Sequence, residues 1–224
     1  MKNNFKKSLV LSALFVGGAS QAATVVGYDF GPDTAAGASL EATTVVGGLT
    51  ASAIMEGAGL NTFQATNVLG FASDSVLQVS AAGTSTPELS IANDAYFSFT
   101  VTPDAMMTVD LETLSFSAAR GGGSTDRGYE IRSSVDNFAT TLGLEDNIPT
   151  VRPTLTPATI DLGAEFSNLT TATEFRVYIF APNGGNTIEF EDIALHGTVS
   201  VIPEPSASLL VALGGLLLAR RKRS

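Results

Sequence analysis

The sequence contains a single histidine, His196, whose side chain could act as a general base or a metal ligand. It lies in the run "IALHGTV", where Leu195 and Val199 share one strand parity, so we expect His196 to point away from the core beside Ala194 and Thr198. No G-x-S-x-G sequence accompanies it. We therefore interpret His196 as a structural histidine and not as the base of a Ser-His-Asp triad. The chain has no cysteine, which excludes disulfides, thiolate nucleophiles and Cys-ligated zinc or iron–sulfur sites.

Carboxylates are the other groups that could catalyse a reaction, because two acids at a suitable separation suffice for glycoside hydrolysis. Sites that cleave sugars usually stack the ring on an aromatic face, and this chain has no tryptophan and only four tyrosines. The glycine-rich run "RGGGSTDRG" lacks the G-K-[ST] ending of a phosphate-binding loop. We expect no enzyme activity. The carboxylates that the hydrolase alternative would use are Asp126, Glu130, Glu189, Glu191 and Asp192.

The elements that must position these side chains are predicted to be β-strands, because apolar residues recur with period two. In "EFRVYIF" one face is apolar and the other carries Arg176, Tyr178 and Phe180. This outward stripe is a candidate ligand face, and the alternative is that a long loop covers it. Segments 31–50 and 143–170 are predicted to be loops. Further predicted strands are "TVVGYDF", "SVLQVS", "ELSIA", "AYFSFTVT", "TLSFSAA" and "GYEIRSS".

The final predicted strand changes phase in its middle. Ile188 and Phe190 share one parity, whereas Ile193 and Leu195 share the other, so we predict a β-bulge at Glu191–Asp192. Many short strands and no sustained amphipathic helix predict an all-β fold. We expect an antiparallel two-sheet sandwich, a jelly roll, flanked by an N-terminal signal helix and a short C-terminal apolar helix.

Part of this body resembles extracellular sandwich domains of the carbohydrate-binding, galactose-binding-like kind. The residues that carry the resemblance are "YEIRSSVDNFATTL", "EFRVYIF" and the closing "IEFEDIALHGTV", about a third of the chain. In such modules an acid on the last strand can hold a structural calcium ion, and Asp192 is the matching position. The resemblance implies binding to polysaccharide without any other cofactor.

The charge distribution argues against nucleic acid as a partner. The segment 23–202 contains 21 of the 22 acidic residues but only five basic ones, all arginines, and they are scattered along the sequence. Binding to a phosphate backbone requires clusters of positive charge. The acidic balance is typical of a solvated surface.

The first 22 residues have the three parts of a secretory signal peptide. Three lysines precede an apolar stretch from Ser8 to Ala19, and Ser20 and Ala22 place small residues where signal peptidase cleaves. Twelve apolar residues are too few to cross a hydrocarbon core of about 30 Å. We predict cleavage before Ala23 and export of the body, 23–202.

The tail, 203–224, is a separate unit. The sequence Pro203-Glu204-Pro205 precedes an apolar run that would extend roughly 21 Å as a helix, too short for a comfortable membrane anchor. Under the positive-inside rule the closing cluster would stay on the cytoplasmic side. That cluster is Arg220, Arg221, Lys222 and Arg223.

The Pro-Glu-Pro sequence, the apolar run and the basic cluster, in this order, closely resemble the PEP-CTERM sorting signal of certain Gram-negative bacteria. The resemblance implies that exosortase, a membrane-embedded transpeptidase-like enzyme, is a processing partner together with signal peptidase. It further implies transient attachment to the inner membrane and delivery to the cell envelope, outer surface or extracellular matrix.

Three functional hypotheses follow from the sequence. The first is an exported structural or adhesive β-sandwich of the cell surface, sorted by its tail. The alternative is a polysaccharide-binding module, supported by calcium at Asp192. The third, less favoured, is a secreted hydrolase that uses two carboxylates.

Overall fold

The computed structural model describes residues 22–31, 39–66, 75–81, 83–123, 125–183 and 185–202. Thirteen strands and one short helix make up this part of the chain, with 3₁₀ turns at Ser134–Asp136 and Ala164–Phe166. The elements are β1 (Ala23–Tyr28), β2 (Thr44–Val45), β3 (Leu49–Ala51), β4 (Met55–Glu56), β5 (Leu60–Thr66), β6 (Val76–Ala81), α1 (Pro87–Ala92), β7 (Tyr96–Pro103), β8 (Met107–Arg120), β9 (Gly128–Ser133), β10 (Gly143–Glu145), β11 (Thr156–Asp161), β12 (Thr173–Phe180) and β13 (Ile188–Val201).

The strands form two antiparallel sheets, which confirms the predicted two-sheet sandwich. The seven-stranded sheet has the order β11-β8-β13-β1-β2, and β6 pairs with the remaining part of β13 and with β5. The six-stranded sheet has the order β10-β9-β12-β7-β3, and β4 also pairs with β7. From β7 onward all but one of the connections between consecutive strands cross to the opposite sheet. This connectivity is typical of a jelly roll.

Aromatic side chains from both sheets meet at the centre of the core. Phe190 of the seven-stranded sheet lies 5.1 Å from Phe97 of the six-stranded sheet, measured between ring centroids. Phe116 and Tyr129 make a second contact across the sandwich, also at 5.1 Å. Such edge-to-face pairs add about 0.5–1.5 kcal/mol each beyond the area that they bury.

The predicted bulge is confirmed. The pairing of β13 with β8 changes register between Glu191 and Ala194, and Asp192 has a left-handed backbone with φ of 52°. Aspartate tolerates this conformation better than most residues. Before the bulge Ile188 and Phe190 point into the core, and after it Ile193 and Leu195 do so.

Two predictions of local structure were wrong. The run "ELSIA" is not a strand but part of α1 (Pro87–Ala92). Its start has strong helix signals, since the Thr86 hydroxyl accepts a hydrogen bond from the Leu89 amide and Pro87 occupies the first turn. The segments predicted to be loops also contain the short strands β2, β3, β10 and β11. The strands β2, β3 and β10 have only two or three residues, too few to show a periodicity, whereas β11 has six residues and alternates between half-buried and exposed positions.

Candidate functional site

The candidate site lies on the outer face of the seven-stranded sheet, around His196. In the register of the sheet, His196 faces Thr24 of β1 on one side and Thr113 of β8 on the other. Its Nδ1 lies 3.3 Å from the Thr24 hydroxyl, and its Nε2 lies 2.8 Å from the hydroxyl of Ser115. Both ring nitrogens are therefore held by hydroxyl groups on neighbouring strands. The parity prediction that His196 points away from the core is confirmed, because Leu195 beside it is buried in the core.

A shallow hollow with a cavity volume of about 350 Å³ surrounds this hydrogen-bonded trio. The surface of the sheet at the bottom of this hollow carries only small side chains. Gly27 of β1 pairs with Ala194 of β13, and Ala194 pairs in turn with Ser115 of β8. Small residues in the centre leave room above the sheet, and polar groups stand around it. The lining residues that carry polar side chains are Thr24, Asp29, Thr43, Thr44, Ser115, Asp192 and His196.

Asp192 reaches the hollow because of the bulge. Asp192 is exposed, has a left-handed backbone with φ of 52°, and is one of the residues that line the hollow. Among the described residues no group of three or more His, Cys, Asp or Glu side chains is arranged to hold a metal ion. Calcium at Asp192 stays a prediction from the sequence.

The contact between Ser115 and His196 has the geometry of a nucleophile and its general base. The third member of such a triad is a carboxylate that orients the imidazole, and here a threonine hydroxyl occupies that position. The trio donates and accepts hydrogen bonds but lacks the negative charge that stabilises an imidazolium.

Two of the candidate carboxylates, those of Glu130 and Glu189, lie on opposite sheets and therefore do not form a pair. Asp126 lies in the loop before β9, and Glu191 precedes Asp192 at the bulge of β13. Glu130 lies on the six-stranded sheet, where it accepts hydrogen bonds from Arg132 at 2.7 Å and from Thr141. Glu189 lies on the other sheet and is completely buried. Burial raises the pKa of Glu189, although hydrogen bonds from Gln78 and Thr187 act in the opposite direction. Its carboxyl group cannot contact a dissolved glycan in this arrangement.

The outward stripe of β12 does not form an open ligand face. Tyr178 and Phe180 do point away from the apolar face of β12, but they are only 3% and 4% exposed. Tyr178 packs edge-on against Tyr96, with 5.3 Å between ring centroids, and α1 packs across the same strand. The alternative prediction, that a long loop covers the stripe, is right in that these two residues are covered, but the element that packs against β12 is α1 and not a long loop.

Arg176 is the part-exposed member of that stripe. Its guanidinium lies 4.5 Å from the ring centroid of Tyr96 and 3.9 Å from that of Phe138, and its Nε donates to Glu174 at 2.8 Å. Phe138 approaches from a loop in which Asn137 and Phe138 both have a left-handed backbone. Arg176 is therefore fully engaged in contacts within the fold.

A second depression, with a volume of about 540 Å³, runs between the edge strands β10 and β11. Leu144, Glu145, Thr159 and Asp161 contribute to its lining. Burial, and secondarily the charge of Glu145, raises the pKa of the Tyr129 phenol there to about 12. We regard the hollow around His196 as the better candidate, because hydrogen bonds there join His196 to both Thr24 and Ser115.

The sequence indicated His196 and Asp192 but not their neighbours. Ser115 was within a predicted strand, and its parity places it on the outer face, but nothing in the sequence pairs it with residue 196. The predictions for the chain ends concern Ser20, the sorting motif at 203–205 and the basic cluster at 220–223, and these residues lie outside the part that the structure describes. Among the described residues no helix is long and apolar enough to cross a membrane.

Comparison with known proteins gives similarity of structure only. No protein-family model matches the sequence, and no curated protein matches it. Among solved structures, the CBM22-1 xylan-binding domain of Xyn10C from Paenibacillus barcinonensis is similar over 80% of this chain and 97% of its own, with 11% identity and a TM-score of 0.40. The K3 adhesin domain of Lys-gingipain from Porphyromonas gingivalis is similar over 78% of this chain and 98% of its own, with 16% identity and a TM-score of 0.42. TmCBM61, solved with β-1,4-galactotriose, has 9% identity and a TM-score of 0.38 over 68% of this chain and 90% of its own. Because the sequence identities and TM-scores are this low, we infer no ligand from these similarities.

Proposed function

We propose that this chain is an exported, non-enzymatic protein of the bacterial cell surface whose β-sandwich binds a glycan in the hollow around His196. The observation that supports the proposal is the hollow's composition. Four hydroxyls, two carboxylates and an imidazole line a floor made of Gly27 and Ala194. Sugar hydroxyls both donate and accept hydrogen bonds, so a surface with both kinds of group matches them.

The lining also indicates how tightly such a site would bind. It holds no tryptophan or phenylalanine on which a sugar ring could stack, and only Tyr28, whose side chain is buried, contributes an aromatic ring. Binding would then depend on hydrogen bonds, each worth about 0.5–1.5 kcal/mol net. We expect a dissociation constant near the millimolar range for a single site, which corresponds to about −4 kcal/mol. Repeated sites along a polymer would raise the effective affinity.

A blocking substitution tests the site without removing any hydrogen bond of the fold. In the full chain, Ala194→Gln would place a longer side chain over the floor of the hollow, where Ala194 lies between Gly27 and Ser115. Ala92→Gln, at an exposed position of α1 outside the other sheet, is the matched control. Binding is measured on a panel of immobilised bacterial polysaccharides. We expect Ala194→Gln to lose binding at least tenfold and Ala92→Gln to retain it.

Two results would count against the proposal. Equal binding by Ala194→Gln and Ala92→Gln would exclude the hollow as the site. Absence of binding by the unaltered chain to every polysaccharide at about millimolar concentration would favour the structural or adhesive hypothesis. Addition and chelation of calcium in the same assay tests the prediction for Asp192.

The export and sorting part of the proposal is supported by the sequence of the two ends and has its own experiment. Deletion of 203–224, or of the host's exosortase, should move the body from its normal surface location to a different fraction. Intact mass of the native protein would identify both processing sites. An unchanged distribution, with the tail still present in the mature protein, would contradict sorting by exosortase while leaving the glycan proposal unaffected.

A further inference from the structure

One end of the sandwich exposes apolar side chains, and it is the end from which the chain continues into 203–224. There β13 ends at Val201, and the turn between β7 and β8 lies beside it, since the Ile202 amide donates to the Met106 carbonyl at 2.8 Å. We call this the apolar end, and it consists of Met106, Met107, Val201 and Ile202. The side chains of Met106 and Val201 are 49% and 67% exposed.

Val201 is exposed because its strand runs past the end of the core. Val199, two residues earlier and on the same face, packs against the core, and Val201 pairs with Met107 beyond it. Met107 lies against Gly48, where an added Cβ would come within 2.5 Å of the Met107 methyl carbon. Met107 therefore covers the end of the core, and Val201 contributes an apolar surface outside it.

Met106 occupies a backbone position that does not favour methionine. It belongs to the turn 104–107, in which the Met107 amide donates to the Asp104 carbonyl at 3.0 Å, and its φ is 66°. Glycine, asparagine and aspartate adopt this left-handed conformation at lower cost. Neither the backbone conformation nor core packing accounts for an exposed methionine at this position.

Both ends of the body point the same way. β1 and β13 are antiparallel, with Ala23 opposite Gly197, so β1 begins towards the end at which β13 stops. The two segments in which the sequence predicts targeting signals, 1–22 and 203–224, are therefore joined to the body from the same direction.

The connection between the apolar end and the apolar run of the tail is short. Four residue steps separate Ile202 from Ser206, and they span at most about 14 Å. The headgroup layer takes up roughly 5–8 Å of that distance. The run would form a helix of roughly 21 Å, shorter than the hydrocarbon core of about 30 Å, and a segment that is too short draws its flanks towards the membrane. Ile202 would then lie within the headgroup layer or directly above it.

We propose that the apolar end is a membrane-docking surface, at which Met106 and Val201 insert into the headgroup region of the bilayer that holds the tail. The inference rests on the sorting part of the proposed function, because it requires that 203–224 enter a membrane. The tail keeps this end at a high effective concentration near the lipid, so the contact needs little affinity of its own. The apolar end contains no basic residue, and the exposed Asp104 adjoins it. Insertion of apolar side chains therefore stabilises the contact, and attraction to anionic lipid does not.

Single-cysteine labelling tests the contact, since the chain has no cysteine of its own. The chain from Ala23 onward, which keeps every described strand, is reconstituted into phosphatidylcholine vesicles that contain lipids with nitroxide-labelled headgroups. A fluorophore is attached in turn to Met106→Cys, Val201→Cys and Leu89→Cys. An inserted apolar face reaches only about 5–10 Å into the interface, so quenching should be at least about fivefold greater at Met106 and Val201 than at Leu89.

Leu89 is the matched control position because it is 42% exposed at the other end of the sandwich. It lies on α1, which is joined to the start of β7, whereas Met106 follows the end of that strand. Eight residues of β7 separate the two ends by about 24 Å.

A second variant tests the role of Met106 itself. Met106→Asp replaces an apolar side chain by a charged one at a φ of 66° that aspartate tolerates at least as well, so the turn should be retained. With the fluorophore at Val201→Cys, this change should reduce quenching at least about twofold, because a charge opposes insertion into the interface. Leu144→Asp, at a position with a similar exposure of 51% on β10, should leave the quenching unchanged.

Flotation of the same samples separates the possible failures. A chain that floats with the vesicles but shows equal quenching at all three positions would overturn this inference and leave the sorting proposal intact. A chain that does not float would overturn both. An apolar emission from the Val201 probe that is the same with and without vesicles would identify the chain's own tail, or a second copy, as the occupant of this surface and would also overturn the inference. If Met106→Asp did not fold, the comparison of the three labelled positions would still decide the matter.

Discussion

The stacking of Arg176 between two aromatic rings predicts a measurable coupling free energy. A guanidinium over an aromatic face at a partly exposed site contributes about 0.5–1 kcal/mol per ring, and the Phe138 centroid at 3.9 Å is the nearer of the two. The ion pair with Glu174 adds about 0.2–1 kcal/mol. We therefore expect Arg176→Met to lower the free energy of unfolding by about 1.5–2.5 kcal/mol, since methionine keeps an apolar stem but no charge.

A double-mutant cycle isolates the contact with Phe138. The unaltered chain, Arg176→Met, Phe138→Leu and the double variant are unfolded in urea, and the free energies are compared. Leucine keeps a side chain of similar bulk at a position whose φ is 60°, so the backbone cost is nearly the same in all four proteins. The coupling free energy should be about 0.5–1 kcal/mol.

Arg132 gives the control cycle. It faces Arg176 directly in the pairing of β9 with β12, and it contacts Phe138 only through the backbone carbonyl, at 2.9 Å. Its coupling to the Phe138→Leu change should therefore be close to zero. A coupling for Arg176 no larger than that for Arg132, within the roughly 0.3–0.5 kcal/mol error of such cycles, would refute the stacked arrangement.

Two further predictions concern the core and the buried acid. Phe190→Ala should lower the free energy of unfolding by about 3–5 kcal/mol, because the Phe190 ring contacts Phe97, Phe116 and Tyr129. Phe190→Leu should lower it much less. Urea unfolding measures both changes, and equal losses for the two variants would contradict the aromatic packing at the centre of the core. Burial raises the pKa of Glu189 in the folded protein above its ordinary value of 4.5. Protonation of Glu189 therefore stabilises the fold, fully so at pH values below that ordinary pKa. This stabilisation is lost as the pH rises through the folded-state pKa. The free energy of unfolding should then fall less from pH 4 upward in Glu189→Gln than in the unaltered chain, and identical slopes would show that Glu189 does not titrate with a raised pKa.

The strands and the bulge were predictable because both are local consequences of the pleat. Side chains alternate between the two faces of a strand, so a change of phase between Phe190 and Ile193 can only be absorbed by an extra residue. The helix at Pro87–Ala92 was missed, although Thr86, Pro87 and Glu88 are local helix-start signals, because "ELSIA" was interpreted by its apolar content alone.

The hollow around His196 could not have been predicted in the same way. Ser115 and His196 are 81 residues apart in sequence, and their hydroxyl–imidazole contact depends on the register between β8 and β13. That register includes two shifts, one at the bulge and one after His196, and an error of one residue would turn Ser115 to the opposite face.

Parity determines which face of a sheet a side chain occupies, but it does not determine whether that face is covered. Tyr178 and Glu189 both point outward from their strands and are both buried, Tyr178 beneath the side of the sandwich where α1 packs and Glu189 beneath the loop that begins at Gly121. His196, seven residues after Glu189 on the same strand and the same outer face, is only partly buried and lines an open hollow. The outer face of β13 is therefore covered before the bulge and open after it. The part before Asp192 contributes a carboxylate to the interior of the fold, and the part after it lines the open hollow around His196.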